Sequence, residues 1–192
     1  MPFIDEKRLT SRYDAVAQTF HWTTALGVAG LMSLGFYMHD LPLSPAKLQL
    51  YSWHKWAGVT VFALSWARFA WRWAHPAPPL ASSVSPRIAA LARAGHVALY
   101  ALLLLVPLSG WLMSSAKGVQ TVWFGVWSIP DLISRDKALG DLLGRVHLLL
   151  NWALLSLVAG HAIAALKHHL IDRDDTLMRM LPSRFVRSGD HP

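Results

Sequence analysis

Long apolar runs alternate with short polar stretches along this chain of 192 residues. Four runs are long enough for the roughly 20 helical residues that cross a hydrocarbon core of ~30 Å. The stretches between them contain most of the prolines, which favours loops. The pattern predicts an all-α, integral membrane four-helix bundle, formed as a single domain over residues 1–192. Its helices are expected near 16–38, 53–74, 88–114 and 142–166, followed by a tail over 167–192.

One proline, Pro107, lies inside the third apolar run, and Ser109 and Gly110 follow it closely. Proline within a membrane helix bends the helix more often than it ends it, because neighbouring groups satisfy the freed backbone. We therefore expect one continuous helix over 88–114.

Composition narrows the class of protein and the chemistry available to it. Hydrophobic residues make up 54% of the chain, more than in an ordinary soluble domain. Cysteine is absent, which excludes disulfides, iron-sulfur clusters, thiolate zinc sites and covalently attached c-type heme. The formal net charge of +7 comes from basic residues dispersed among the apolar runs. Membrane lipid is therefore an expected partner, and nucleic acid is not.

The positive charges predict how the chain is oriented. Of the 18 Lys and Arg residues, twelve fall on the side that holds both termini and six on the other side. Cytoplasmic segments of membrane proteins carry the excess of Lys and Arg. The first fourteen residues also lack the apolar core and cleavage site of a secretory signal. Both termini and the tail are therefore expected in the cytoplasm.

Four of the ten histidines form two pairs at matched depths. His21 and His161 lie near the inner ends of their predicted helices, whereas His54 and His147 lie near the outer ends. His147 and His161 are fourteen residues apart, about 21 Å along a helix axis and four turns of a left-handed bundle. Both side chains therefore face one interior seam, and one helix contributes to both pairs.

Two imidazoles from opposing helices suit the two axial positions of a porphyrin iron. Zinc and copper sites usually need three or four converging protein ligands, often including thiolate or carboxylate. A lone histidine in a membrane helix can instead hydrogen-bond a neighbouring helix, but two matched pairs of buried imidazoles call for a common partner. Bis-histidine ligation leaves no position for dioxygen and favours electron transfer. The pattern predicts two b-type hemes, bound by His21 with His161 and by His54 with His147.

The same fourteen-residue interval places further residues at the two depths. Arg68 follows His54 by fourteen residues, and at the inner depth its guanidinium suits a heme propionate as well as it suits a positive-inside anchor. Gly35 and Gly110 stand at the outer depth, where glycine lets a flat macrocycle approach the backbone. His96 lies near the inner end of the third helix, where a bond to a propionate or a quinone competes with a structural role.

These motifs together resemble the bacterial cytochrome b561 family over roughly residues 12–182. They are RYDAVAQTFHW at the first helix, WHKWAG and RFAWRWAHPAPP at the ends of the second, LARAGHVALYALLLLVPLSGWLM in the third, GRVHLLLN and GHAIAALKHH in the fourth, and DDTLMRMLP after it. The resemblance implies a di-heme cytochrome b of the bacterial inner membrane, a multi-pass protein. It matches His21 and His161 to one ligand pair and His54 and His147 to the other.

The resemblance also implies ubiquinone as electron acceptor and superoxide at the periplasmic face as donor, which makes the protein an oxidoreductase of superoxide:quinone type. Basic residues of the outer segments would raise the concentration of a small anion there. They are Lys47, Lys55, Lys117, Arg135, Lys137 and Arg145.

Two alternative functions follow from the same sequence. The membrane subunits of hydrogenases and formate dehydrogenases share the histidine arrangement, so the chain is alternatively a cytochrome b subunit that links a partner dehydrogenase or hydrogenase to the quinone pool. A protein without heme, such as an ion carrier, is disfavoured because no ladder of Asp or Glu crosses the predicted helices.

Overall fold

The computed structural model describes residues 12–78 and 85–182, which are mostly helical. Helix α1 spans Ala15–His39, α2 spans Pro45–Ala74, α3 spans Pro86–Ala116 and α4 spans Lys137–Leu170. Between α3 and α4 lies a two-stranded antiparallel sheet, β1 over Thr121–Trp123 and β2 over Trp127–Ile129, and a 3₁₀ helix over Met178–Met180 follows α4. Residues 1–11 and 183–192, both predicted to be cytoplasmic, lie outside the described residues.

Helices α2 and α4 are longer than the apolar runs predicted. Helix α2 begins at Pro45 and not near residue 53, because the Ser44 side chain caps the helix and proline suits the first helical position. Helix α4 begins at Lys137, where the Asp136 side chain caps it, and not near residue 142. It ends at Leu170 and not near residue 166, so the first residues of the predicted tail are helical. Polar end turns thus extend both helices beyond their apolar centres.

Helices α3 and α4 are long and apolar enough to cross a membrane. Helix α2 is of similar length but includes Lys55, Arg68 and Arg72, which lowers its hydropathy. Large apolar side chains are exposed along α4, among them Leu149 at 69% and Ile163 at 66%. Such a surface suits contact with lipid.

The four helices meet at an apolar core cluster midway between the predicted histidine depths. Its buried members are Val28, Met32, Val61, Leu102, Leu103, Val106 and Leu154. Val28 follows His21 by seven residues, Val61 follows His54 by seven, and Leu154 lies seven from both His147 and His161. Seven residues are about two turns, or roughly 10 Å, so the same helix faces provide the core and the histidines.

Two short segments close the ends of the bundle. The segment after α4 folds back on α1, where Tyr13 N–H donates to the Arg179 carbonyl at 3.2 Å and Trp22 Nε1 donates to the Met180 carbonyl at 2.9 Å. At the opposite end the β-hairpin packs on α2, and Trp56 Nε1 donates to the carbonyl of Val122 at 2.6 Å.

Candidate functional site

Three histidines meet at the end of the bundle that the sequence predicts to be the inner one. The ring centroids of His21 on α1 and His161 on α4 are 6.2 Å apart, and the His96 ring on α3 lies 5.4 Å from that of His161. His21 and His161 are half-buried, whereas His96 is exposed at the edge of the cluster. His96 therefore shares this depth with both residues of the predicted inner pair.

The distances between ring centroids indicate which two of these three histidines could bind the same metal. A metal–imidazole bond is about 2 Å long, so two rings on opposite sides of one metal have centroids roughly 6 Å apart. The 6.2 Å between His21 and His161 fits this geometry, and the 5.4 Å between His96 and His161 is shorter. The predicted inner pair is thus the one whose spacing suits a single iron.

Arg68 of α2 reaches the same cluster. Its Nη2 lies 2.9 Å from Nδ1 of His21, and its guanidinium carbon lies 5.3 Å from the centroid of the Tyr100 ring. A guanidinium only donates hydrogen bonds, so Nδ1 of His21 accepts this one and a neutral ring carries its proton on Nε2. Arg68 also interacts electrostatically with His96 and His161. A fixed positive charge therefore lies beside all three inner histidines.

The predicted outer pair consists of His54 on α2 and His147 on α4, which are both half-buried. Nδ1 of His147 lies 3.0 Å from the Val106 carbonyl oxygen and 2.9 Å from Ser109 Oγ. The Ser109 hydroxyl donates its own proton to the Val106 carbonyl at 2.6 Å, so both oxygens act as acceptors toward Nδ1. His147 therefore carries its proton on Nδ1, and the lone pair of Nε2 is available, as in metal-bound histidines.

His54 leaves a buried polar atom without a partner. Its ring interacts with the backbone of Leu31, yet its Nδ1 is buried and makes no hydrogen bond within the described residues. A buried polar atom without a hydrogen bond costs about 1–3 kcal/mol. A bound group that lies against the ring is one explanation for such an atom.

Glycines of neighbouring helices lie against both outer histidines. A Cβ at Gly35 would lie 3.1 Å from Cε1 of His54, and a Cβ at Gly110 would lie 3.1 Å from Cε1 of His147. The sequence predicted that these glycines admit a flat macrocycle. In the structure they make room for the imidazole rings themselves, so they set where the rings can lie.

The residues at both depths fit b-type heme. His147 presents a free Nε2, and His21 and His161 have the spacing of two axial ligands. Coordination through Nε2 of His21 requires its proton to leave or Arg68 to turn to another acceptor, and a heme propionate is such an acceptor. The pairing of Arg68 with a propionate stays a prediction, since its Nη2 contacts Nδ1 of His21 in the structure.

A further cluster, which the sequence did not single out, lies where α4 ends. Nδ1 of His168 lies 2.6 Å from Asp174 Oδ2 and 3.2 Å from Asp172 Oδ2. Lys167 Nζ lies 2.6 Å from the same oxygen of Asp172, and Thr176 N–H donates to Asp174 at 2.9 Å. These ion pairs and hydrogen bonds hold the residues after α4 together, so the cluster anchors the segment that folds back on α1.

Partial burial alone would raise the pKa of the Asp174 carboxyl group. Hydrogen bonds from Thr176 and His168 outweigh that effect and hold the pKa of Asp174 below its usual value. The carboxylate form of Asp174 is therefore stabilised by the folded segment.

Known proteins match the chain over most of its length. Residues 12–183 match the family described as prokaryotic cytochrome b561. Cytochrome b561 homolog 2 of Escherichia coli (strain K12) is 37% identical over 171 residues, which cover 88% of this chain and 91% of that protein. The probable superoxide oxidase CybB of Yersinia pestis is 32% identical over 131 residues, 68% of this chain and 74% of that protein.

Cytochrome b561 homolog 1 of Escherichia coli (strain K12) is 28% identical over 180 residues, 91% of this chain and 99% of that protein. The paired histidines of the helical bundle occupy the part of the chain that these matches cover. The chain therefore belongs to the prokaryotic cytochrome b561 family, whose members transfer electrons in membranes with b-type heme.

Proposed function

We propose that this protein transfers electrons across the bacterial inner membrane through two bis-histidine b hemes. His21 and His161 bind the inner heme, and His54 and His147 bind the outer one. The observation that carries the proposal is the pairing of histidines from facing helices, with the inner rings 6.2 Å apart. Each bound heme supplies a one-electron couple of its iron.

The residues of the chain restrict the reaction to electron transfer. With two histidines holding each heme, the site would supply electron transfer and would leave no position for a substrate at the iron. The apolar cluster that includes Val28, Val61 and Leu154 lies between the two depths. Its apolar character disfavours charged groups there, which supports electron transfer without proton transfer through the core.

We assign superoxide, or another periplasmic donor, to the outer side and ubiquinone to the acceptor side. Two superoxide ions yield two molecules of dioxygen and two electrons, and ubiquinone takes up two electrons and two protons to form ubiquinol. The similarity to the probable superoxide oxidase CybB of Yersinia pestis supports superoxide as the donor. The six Lys and Arg residues of the predicted outer segments support access for a small anion.

The orientation belongs to the same proposal. Residues 1–192 form one domain, with both termini in the cytoplasm and the inner histidines on that side of the membrane. The excess of Lys and Arg on the side of the termini supports this arrangement. Labelling of single cysteines introduced at Ser128 in β2 and at Ser183 near the C-terminus would test it, since the native chain has none. Labelling of the C-terminal position from the periplasm would refute the orientation.

Heme stoichiometry tests the ligand assignment. The purified chain is expected to bind two hemes in a pyridine hemochrome assay. His54→Ala and His147→Ala each remove the outer heme, and His21→Ala and His161→Ala each remove the inner one. His169→Ala, an exposed histidine near the end of α4, is the matched control and keeps both hemes. A full heme complement in any of the four ligand variants contradicts the assignment.

The activity of the isolated chain tests the reaction. The purified protein is expected to reduce ubiquinone with superoxide, measured from quinol formation while superoxide is generated continuously. A cytochrome b subunit would be inactive alone and active with a copurifying dehydrogenase or hydrogenase. That result would replace the proposed reaction and leave the heme assignment intact.

A further inference from the structure

We propose that Arg68 and Ser109 are positioning residues that give the two heme sites different reduction potentials, with the inner site higher. The inference rests on the proposed function, because it takes the histidine pairs as iron ligands. It predicts that an electron placed on the outer site moves inward. One electron leaves the outer site and one arrives at the inner site, and no bond is made or broken.

At the inner site, Arg68 provides a positive charge at short range. Nη2 of Arg68 lies 2.9 Å from the His21 ring, and the guanidinium interacts electrostatically with His96 and His161 as well. Arg68 is half-buried and its guanidinium faces the Tyr100 ring, so water screens its charge less than at the surface. A reduced iron carries one positive charge fewer than an oxidised iron. The fixed cation therefore stabilises the reduced form and raises the potential, whether it contacts His21 or a propionate.

At the outer site, the hydrogen bonds that His147 donates act in the opposite direction. His147 donates its Nδ1 proton toward the Val106 carbonyl and the Ser109 hydroxyl, at 3.0 and 2.9 Å. Such donation makes the imidazole more basic and a stronger electron donor to the metal. A stronger donor stabilises the oxidised iron and lowers the potential.

The charges around the two sites also favour a lower reduction potential at the outer site. Within the described residues, no Lys or Arg makes an electrostatic interaction with His54 or His147 comparable to that of Arg68 with the inner histidines. Lys55 follows His54 directly, but its Nζ donates to the Val119 carbonyl at 2.8 Å, and Arg145, two residues before His147, is exposed, where solvent and salt screen its charge. The two effects therefore add, and the outer site is expected to have the lower potential.

Reduction potentials of the two hemes in the purified full chain test the inference. The His54→Ala variant, which retains the inner heme, identifies which potential belongs to which site. Arg68→Gln is expected to lower the reduction potential of the inner site. The equilibrium constant for electron transfer between the two sites should change at least tenfold, which corresponds to about 59 mV for one electron. Arg68→Lys, which keeps the charge, should retain most of the inner potential. Arg93→Gln, an exposed arginine on α3, is the control and should move neither.

The outer site is tested by variants of Ser109. Ser109→Ala is expected to raise the outer potential, by a smaller factor than Arg68→Gln lowers the inner one, because the Val106 carbonyl still accepts from His147. Ser109→Thr restores the hydroxyl and should restore the potential. The control is Ser156→Ala on α4, whose hydroxyl donates at 3.0 Å to the Trp152 carbonyl on an exposed face.

The inference is wrong if the inner site of the unmodified protein has the lower potential, or if Arg68→Gln and Arg68→Lys shift it equally. If the Arg68→Gln variant loses its inner heme, the potentials of the Ser109 variants and the order of the two potentials in the native protein test the inference instead. Heme content measured on the same samples separates the two proposals. If the native chain binds two hemes whose potentials do not depend on Arg68 and Ser109, this inference alone is wrong. If the native chain binds fewer than two hemes, the proposed function is wrong.

Discussion

Replacement of Gly110 by alanine is expected to weaken heme binding at the proposed outer site without weakening the helix that carries the glycine. The new Cβ would lie 3.1 Å from Cε1 and 3.4 Å from Nδ1 of His147. Carbon atoms in contact are about 3.5–4.0 Å apart, so the ring must move by several tenths of an ångström. Nδ1 of the ring bonds the Val106 carbonyl and Ser109 Oγ, and movement of the ring stretches both bonds.

The size of the effect follows from those two hydrogen bonds. A hydrogen bond contributes about 0.5–1.5 kcal/mol, so loss of both costs about 1–3 kcal/mol. At 1.4 kcal/mol per tenfold, this corresponds to roughly 5- to 150-fold weaker heme binding at the outer site. Alanine is also favoured over glycine inside a helix by about 1 kcal/mol, so α3 itself should not lose stability.

Heme content and heme release to an apo-acceptor protein, followed by the Soret absorbance, measure the effect. Gly30→Ala on α1 is the matched control, because a Cβ there has no heavy atom within 4 Å. Gly35→Ala should resemble Gly110→Ala, since its Cβ would lie 3.1 Å from Cε1 of His54. Outer-heme release from Gly110→Ala at the rate of Gly30→Ala would show that the glycine does not set the position of His147.

Two further predictions concern packing and pH. Gly27→Leu is expected to destabilise the contact of α1 with α2 by about 1–3 kcal/mol, because even a Cβ would lie 2.8 Å from Cγ2 of Val61; a thermal melt in detergent unchanged from the native one would contradict this. Because Thr176 and His168 hold the pKa of Asp174 below its usual value, its carboxylate stabilises the segment 172–181 above the unfolded pKa of about 3.9. That contribution is lost as the pH falls through the lower folded pKa, and hydrogen exchange of the segment should then rise. Asp174→Asn should raise the exchange already at neutral pH, and equal exchange in both proteins would refute the role of the carboxylate.

The periodicity of the chain was sufficient to predict much of the bundle and the grouping of its histidines. Apolar runs indicated four helices, and α1 and α3 begin and end within two residues of the predicted bounds. Intervals of seven and fourteen residues recur between the histidines and the core positions, and helical geometry converts such intervals into shared faces and matched depths. Spacing along the sequence was therefore sufficient to predict the relative depths of His21, His161, His54 and His147. Their role as iron ligands stays a prediction until heme is measured.

Contacts between helices were decided by tertiary structure alone, because they depend on how the helices cross and rotate and not on spacing within one helix. Hydropathy did not show that α2 begins at Pro45, since the first turns of that helix are polar and are held by a cap. No interval in the sequence relates Ser109 and the Val106 carbonyl to His147, or brings Arg68 to Nδ1 of His21. The sequence determined which residues occupy each depth of the bundle. The packing of four helices determined which atom each imidazole nitrogen faces, and that choice distinguishes the inner histidines from the outer ones.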